Sequence, residues 1–274
     1  VIKAIPYETN EEKENYEKEA GILHMFYNNP SIMKYNDTFI LNNELTGGKD
    51  YLFGVMDFCK EVDLFDFYSQ FYQKGISIEQ IRSFSYQALK ILRTLHRRRV
   101  VHHDIKPSNF LIESISPLII KLTDFEFSEK LGVGEKTINP LGSVLYMAPE
   151  LLKCLPHDMS VDIWALGVII YELTAGKLPY NLDENNPKPF LVRMRIQNNH
   201  LIFDESFQNT NLIDLLSQML EKDPENRISA EKALLHPFFE GFNDNLFGTK
   251  ELTRSFSEEA LMESDETEKT DVFT

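Results

Sequence analysis

Four polar residues carry side chains suited to one kind of chemistry. Asp104, Lys106 and Asn109 belong to the segment 102–109, His-His-Asp-Ile-Lys-Pro-Ser-Asn, and Asp124 follows it. A carboxylate can accept a proton from a hydroxyl group, and an ammonium can steady an anion. Carboxylate and amide oxygens are hard ligands suited to Mg²⁺. The four residues therefore favour transfer of an anionic group to a hydroxyl beside a divalent cation.

Further motifs accompany the segment 102–109 in a defined order. They are Asp-Phe-Glu at 124–126, Gly-Ser-Val-Leu-Tyr-Met-Ala-Pro-Glu at 142–150, Asp-Ile-Trp-Ala-Leu-Gly at 162–167 and Asn-Arg-Ile-Ser-Ala at 226–230. The set resembles the catalytic loop, the Asp-Phe-Gly element and the Ala-Pro-Glu segment of eukaryotic protein kinases. It is also similar to the family's anchoring helix, and to the arginine that pairs with the Ala-Pro-Glu glutamate, here Arg227 and Glu150. Order and spacing agree with that family from residue 1 to about residue 240.

The resemblance implies a role for each residue of the first group. Phosphoryl transfer needs mainly positioning of the reactants and neutralisation of the charge on the nucleotide. Asp104 is expected to accept the proton of the substrate hydroxyl, and Lys106 to steady the transferred phosphoryl group. Asn109 and Asp124 are expected to bind Mg²⁺, with ATP as the phosphoryl donor.

The resemblance also implies residues that bind ATP. Lys3 is expected to contact the α- and β-phosphates, and Glu19 to orient Lys3 through an ion pair. The adenosine is assigned to residues near the hinge between the lobes, namely Met56, Asp57, Cys59 and Asp63. Met56 would line the adenine pocket, the backbone of 57–59 would meet the adenine edge, and Asp63 would reach the ribose. This segment is the least specific of the set, because a plain buried strand explains it almost as well.

Substrate class is indicated by individual residues and by charge. Within the family, Lys106 and Ser143 are typical of serine/threonine kinases. The chain carries 28 Lys and Arg against 43 Asp and Glu, a net charge of −15, so its field opposes nucleic acid as a partner. Asp63 and Glu172 occupy positions where relatives contact basic side chains. We therefore expect protein substrates that are basic around the phosphoacceptor.

The cysteine content and the hydropathy bear on the cellular environment. Two cysteines, Cys59 and Cys154, make no disulfide framework and favour a reducing compartment. We expect a cytoplasmic location, and a nuclear one is compatible with the same observations. No apolar run approaches the roughly 20 residues that a membrane helix needs, so no membrane association is expected. The sequence does not indicate an oligomeric state.

Apolar periodicity predicts the elements that position these residues. A strand ended by Pro6 precedes an amphipathic helix over 8–27, and strands at 38–42 and 51–57 flank a glycine turn at 46–50. Helical periodicity dominates from about residue 64. The later predicted elements are helices at 78–97, 161–175, 211–221 and 230–235, with a hairpin at 110–113 and 118–123.

The predicted fold class is α+β, with the bilobal architecture of a protein kinase. Residues 1–56 would form a small antiparallel N-lobe with one helix, and 57–240 a larger, mainly helical C-lobe. Residues 241–274, with nine acidic and three basic side chains, are expected to form a disordered tail. Only two residues precede Lys3, so the family's first two strands and glycine-rich loop are expected to be missing from a truncated N-lobe.

Three residues depart from the family pattern within the matched region. Glu126 replaces the glycine of Asp-Phe-Gly, which is expected to restrict the backbone and to add negative charge near the metal without removing a required group. His103 replaces the arginine that receives an activation-loop phosphate. Asn139 stands where relatives often carry the phosphorylated threonine, so we predict that the loop does not need phosphorylation there.

Two other classes of protein are alternatives to an active protein kinase. A pseudokinase, acting as a binding scaffold, is favoured by Glu126 and by the missing glycine-rich loop. It is opposed by the complete set of Asp104, Lys106, Asn109 and Asp124, since pseudokinases commonly lose one. A small-molecule kinase of related fold is disfavoured by Glu150 and Arg227, which support the segment that docks peptides.

Overall fold

The elements change in character along the chain, with strands first and helices afterwards. A computed structural model describes residues 1–41, 50–59, 62–71, 76–183, 185 and 187–242. The predicted turn at 46–50, apart from Asp50, and the predicted tail, apart from 241–242, lie outside these residues. The strands are β1 (Ile2–Tyr7), β2 (Tyr35–Leu41), β3 (Asp50–Met56), β4 (Val100–Val101), β5 (Phe110–Ile115), β6 (Leu118–Leu122) and β7 (Glu129–Lys130). The helices are α1 (Asn10–Met25), α2 (Leu64–Phe71), α3 (Ile78–Arg97), α4 (Pro149–Leu152), α5 (Ser160–Ala175), α6 (Pro189–Asn198), α7 (Thr210–Met219) and α8 (Ala230–Ala233).

The N-terminal part is an antiparallel sheet in the order β1-β3-β2, which contacts helix α1. Helix α1 begins with a capping box, because Thr9 accepts a hydrogen bond from the Glu12 amide and Glu12 accepts one from the Thr9 amide. The prediction that Pro6 ends the first strand is wrong. Pro6 lies within β1 opposite Tyr51, since an edge strand tolerates the loss of one N–H donor.

Helices dominate after β3, as predicted. Helix α3 begins with a capping box between Ser77 and Gln80, and its predicted apolar stripe is buried. It contacts α5, which is buried over most of its length. Polar side chains at the start of α5 therefore lie deep inside the molecule and need hydrogen-bond partners. None of the described helices combines the length and the apolar composition that a membrane crossing requires.

A buried ion pair joins the start of α4 to the loop after α7. The Arg227 guanidinium donates to both carboxylate oxygens of Glu150, at 2.6 and 3.0 Å, and to the carbonyls of Ser160 and Glu221. It also lies over the Trp164 ring. This pairing was predicted from the Ala-Pro-Glu resemblance, and the structure confirms it. The two parallel hydrogen bonds from the guanidinium satisfy both oxygens of the Glu150 carboxylate, which is buried away from water.

Breaking this pair from one side should destabilise the protein strongly. Arg227→Met leaves the Glu150 carboxylate buried without its partner, and we expect the free energy of unfolding to fall by about 3–5 kcal/mol. Urea denaturation of the wild type and the variant measures the difference. Arg97→Met is the control, because it removes a second bidentate arginine from an exposed pair with Glu231 and should cost about 1 kcal/mol or less. Similar losses in both variants would contradict the expectation.

Candidate active site

One carboxylate of α5 holds the loop that carries Asp104. Asp162 accepts hydrogen bonds from the backbone amides of His102 and His103, each at 3.0 Å. Its oxygen Oδ2 also lies 3.0 Å from Nε2 of His96, at the end of α3. His103 has a left-handed backbone (φ 68°), which costs energy for a residue with a side chain. The bonds to Asp162 hold the loop in this conformation.

Three donors converge on the buried carboxylate of Asp104. They are Lys106 Nζ at 2.6 Å, Ser143 Oγ at 2.8 Å and Asn109 Nδ2 at 3.1 Å. Burial by itself would raise the pKa of Asp104, but these donors outweigh it and hold the pKa below its usual range. Asp104 is therefore ionised at neutral pH, and its neighbours keep it in one orientation.

Ser143 reaches Asp104 because a glycine precedes it. Gly142 has a φ of 107°, and a Cβ atom there would lie 2.2 Å from the His103 carbonyl oxygen. Only glycine accepts both the conformation and the close approach. The Ser143 hydroxyl donates to Asp104, and this contact links the segment 142–150 to the catalytic loop.

A second cluster is built around the predicted ion pair of Lys3 and Glu19. Lys3 Nζ lies 3.1 and 3.2 Å from the two Glu19 oxygens. The Tyr35 hydroxyl donates to the same carboxylate at 3.0 Å. Burial raises the pKa of Glu19, while Lys3 and Tyr35 act in the opposite direction. The neighbouring Tyr16 is also buried, which raises its pKa to about 12.

Tyr35 is a site residue that the sequence did not reveal, because nothing in its neighbourhood marks it. The space for its ring depends on Gly54 of β3, where a Cβ atom would lie 2.4 Å from the ring. Tyr35 pairs with Met56 in the register, and its ring reaches diagonally to Gly54, so this contact can be predicted only when the register of β2 and β3 is known.

A cavity of about 340 Å³ opens beside the Lys3–Glu19 pair. It brings together Lys3, Glu19, Met56 and Asp124, four of the predicted site residues. Its described lining is Lys3, Glu19, Leu23, Met33, Tyr35, Met56, Thr123, Asp124 and Glu126. The catalytic loop lies next to it, because the Thr123 amide donates to the Asn109 carbonyl at 3.0 Å.

Three predicted nucleotide-binding residues are not among the described lining of this cavity. Asp57 accepts a hydrogen bond from Asn36 at 2.7 Å, and the Cys59 thiol donates to the Ile112 carbonyl. Asp63 accepts a hydrogen bond from the Asp66 amide at the start of α2. The roles assigned to these residues stay predictions.

The element 124–126 has the backbone strain at its first residue. Asp124 is left-handed (φ 65°), whereas Glu126 does not adopt a positive φ. Phe125 is buried with its ring against that of His102, 4.7 Å between centroids. The glutamate therefore fits the backbone, and its exposed side chain adds negative charge to the cavity lining.

The oxygen ligands available for a metal are few. Within the described parts of the chain, no three His, Cys, Asp or Glu side chains come together as ligands for one ion. Asn109 uses its Nδ2 on the carbonyl and carboxylate of Asp104, which leaves its Oδ1 as a possible ligand. Mg²⁺ is commonly held by one or two protein oxygens together with substrate phosphates. The donor set fits that manner of binding.

The hydroxyl of Tyr35 should contribute measurably to the stability of this cluster. Tyr35→Phe keeps the ring against Gly54 but removes a donor to a desolvated carboxylate, so we expect the free energy of unfolding to fall by about 1.5–3 kcal/mol. Urea denaturation at pH 7 measures the change. Tyr27→Phe, on an exposed ring, should differ little from the wild type. Equal stability of the two variants would show that Glu19 does not depend on Tyr35.

Known proteins resemble this chain over most of its length. Residues 1–239 match the protein kinase domain family. The human phosphorylase b kinase gamma catalytic chain, liver/testis isoform, is 31% identical over 243 residues, 86% of this chain and 56% of that protein. Mouse ribosomal protein S6 kinase alpha-6 is 33% identical over 233 residues, 82% of this chain and 29% of that protein. Serine/threonine-protein kinase TIO of Arabidopsis thaliana is 36% identical over 166 residues, 60% of this chain and 12% of that protein.

The chain therefore spans about half, or less, of the length of these relatives. The sheet of β1 to β3 with α1, followed by a mainly helical part, is the α+β architecture expected of a bilobal kinase. Together with the match over residues 1–239, these features show that the chain belongs to the protein kinase domain family.

Proposed function

We propose that this protein is a serine/threonine protein kinase that transfers the γ-phosphate of ATP to hydroxyl groups of protein substrates. The observation that carries the proposal is the Asp104 carboxylate, which Lys106, Ser143 and Asn109 hold ionised and oriented. The relatives named as serine/threonine or S6 kinases support the class.

The cavity beside Lys3 suits the nucleotide. The Lys3 ammonium, oriented by Glu19, would bind the α- and β-phosphates, and Met56 would line the adenine end. Asn109 and Asp124 would hold Mg²⁺, which neutralises phosphate charge when it is bound. Asp57, Cys59 and Asp63 would contact the adenosine from outside the described lining.

The catalytic step needs a base that is charged at neutral pH and lies beside a cation. Asp104 would accept the proton of the substrate hydroxyl and aim its oxygen at the phosphorus. Lys106, now 2.6 Å from Asp104, would steady the phosphoryl group as it moves. Ser143 would keep the carboxylate in place throughout, because its hydroxyl binds the other carboxylate oxygen.

Substitution of the base should separate catalysis from folding. Asp104→Asn keeps the size and most hydrogen bonds of the side chain but removes its basicity, so phosphate incorporation into a Ser/Thr peptide should fall about 10²–10⁴-fold. Radiolabelled phosphate transfer by the full-length protein measures this. Asp37→Asn, on an exposed strand residue, is the matched control and should retain activity. A wild-type signal no higher than that of Asp104→Asn would favour the pseudokinase scaffold, for which Glu126 argues.

Basic substrates are the finer part of the proposal. Glu172 of α5 accepts a hydrogen bond from the Tyr146 hydroxyl at 3.0 Å, so its carboxylate lies beside the turn that follows Ser143. Asp63 immediately precedes α2 and accepts a hydrogen bond from the Asp66 amide, and its backbone pairs with Leu111 of β5. Glu172 thus lies beside the segment 142–150, and Asp63 lies beside the strand that follows the catalytic loop. The location is a separate part of the proposal. The chain has only two cysteines, which favours a reducing compartment, so a cytoplasmic location agrees with this function.

Removal of the Glu172 charge should reduce the preference for basic peptides. Glu172→Gln retains an oxygen that can accept the Tyr146 hydrogen bond, so we expect the kcat/KM ratio of an arginine-containing peptide to its neutral analogue to fall about threefold to fivefold. A peptide array followed by steady-state kinetics tests this. Glu205→Gln, on an exposed loop residue, should leave the ratio unchanged. If the wild type shows no preference for peptides with an upstream Arg or Lys, the proposed basic substrate class is contradicted, but the kinase function is not.

A further inference from the structure

The carboxylate of Glu19 is held from two strands of the N-terminal sheet. Lys3 of β1 reaches both of its oxygens, and the Tyr35 hydroxyl at the start of β2 donates to Oε1 at 3.0 Å. Glu19 is only 4% exposed, so it depends on donors that the fold supplies. Among the described residues, side-chain hydrogen bonds reach this carboxylate from Lys3 and Tyr35 alone. The orientation of the Lys3–Glu19 pair therefore depends on Tyr35.

The Tyr35 hydroxyl keeps its hydrogen in this contact. Burial raises the pKa of Tyr35, and the charge of the Glu19 carboxylate raises it further. The hydroxyl is therefore neutral at working pH and acts as the donor. Hydrogen bonds to carboxylates are stronger than those between neutral groups, so this contact is suited to fixing the direction of Glu19.

The Tyr35 side chain has little room to move away from Glu19. A Cβ atom at Gly54 of β3 would lie 2.4 Å from the Tyr35 ring, so the ring rests directly on the backbone of that strand. The Tyr16 ring of α1 packs beside it, with 5.7 Å between the two centroids. Side chains packed as closely as this stay in one rotamer. The hydroxyl of Tyr35 is therefore held at one position.

The backbone before Tyr35 is fixed as well, to the strand that leads to Asp124. The Met33 amide donates to the Leu122 carbonyl and the Leu122 amide donates to the Ser31 carbonyl, each at 2.9 Å. Leu122 ends β6, and Asp124 follows two residues later. Tyr35 thus joins the ion pair of the cavity to the strand that leads to the proposed metal ligand.

We propose that Tyr35 is a positioning residue for nucleotide binding. Its hydroxyl holds Glu19, and Glu19 directs the Lys3 ammonium at the phosphates before the nucleotide arrives. The inference rests on the nucleotide binding proposed above. An ammonium that is already ordered loses less side-chain entropy on binding than one that the phosphates must order. Tyr35 therefore acts on the affinity for Mg·ATP and leaves the transfer step at Asp104 unchanged.

Three variants test whether the hydroxyl acts through Glu19. Tyr35→Phe removes the donor and keeps the ring. Glu19→Gln keeps an oxygen that can accept from Tyr35 but removes the charge that holds Lys3. The variant with both substitutions completes a double-mutant cycle, in which residues that act through one another give effects that do not multiply.

Affinity and turnover are measured on the same preparations of the full-length protein. Isothermal titration calorimetry without peptide gives the Kd of Mg·ATP, and steady-state kinetics on one Ser/Thr peptide give kcat and the KM for ATP. Tyr180→Phe is the matched control. It removes another buried tyrosine hydroxyl, which donates to the Leu220 carbonyl at 3.2 Å and lies outside the described lining of the cavity. Circular dichroism at the assay temperature establishes that every variant is folded.

We expect Tyr35→Phe to raise the Kd and the KM for ATP about fivefold to tenfold, with kcat within about twofold of the wild type. Glu19→Gln should raise the Kd at least as much, and the double variant should resemble Glu19→Gln. Tyr180→Phe should lose stability but keep the wild-type Kd. An unchanged Kd in Tyr35→Phe, or effects that multiply in the double variant, would overturn the inference, because a purely structural residue acts independently of Glu19.

Failure of the proposed kinase function gives a different result. If the wild type binds Mg·ATP but transfers no more phosphate than Asp104→Asn, the transfer function fails, and the Kd values still decide the role of Tyr35. If the wild type transfers phosphate and Tyr35→Phe binds Mg·ATP equally tightly, the inference alone fails. A wild type that binds no Mg·ATP would contradict both.

Discussion

The buried carboxylate of Asp162 is the interaction on which the active site depends. It gives up its hydration, which by itself would raise its pKa, but His96, His102 and the His102 amide outweigh this and lower the pKa. A charge this deeply buried is stable only with several donors in place. These bonds fix the positions of the His102 and His103 amides. They thereby also fix the backbone at Asp104, which is the next residue. A helix residue sixty positions after His102 thus sets the geometry of the loop that carries the proposed base.

The electrostatics of the cavity differ from those of the chain as a whole. A net charge of −15 opposes polyanions, yet the proposed substrate is an anion. The described lining offers one ammonium, Lys3, against the carboxylates of Glu19, Asp124 and Glu126. Glu19 is occupied by Lys3 and Tyr35. Under the proposed function, the positive charge that balances the phosphates therefore comes largely with the nucleotide as Mg²⁺.

Residues 124–150, the activation segment, are attached to the rest of the protein by side-chain contacts between charged and polar groups. Lys136 pairs with Glu225 and Ser143 binds Asp104, while Glu135 binds the Gly132 amide within the segment itself. The exposed contacts contribute little individually. The buried contacts, including that of Ser143, contribute more because an unpaired partner would remain without water. The segment is thus held mainly where it meets the catalytic loop. That phosphorylation near Asn139 is not required stays a prediction.

Much of the fold and part of the site could be predicted from the sequence. Apolar periodicity predicted α1, α3 and the β5–β6 hairpin, because this signal is local. The motifs predicted Asp104, Lys106, Asn109 and Asp124, since spacing along one loop limits where side chains can go. Pro6 was misinterpreted, because its tolerance in β1 depends on which strand lies at the edge of the sheet.

The contacts of Tyr35 and His157 were decided only by the tertiary structure. Tyr35 binds Glu19 across 16 residues, and His157 meets His103 across 54. Neither residue type is unusual where it stands, and neither has a local pattern that names its partner. The sequence determined which elements form and which side chains can do chemistry. Packing of β2 against α1, and of the loop before α5 against the catalytic loop, decided which buried polar groups must satisfy one another, because that requirement arises only after water has been excluded.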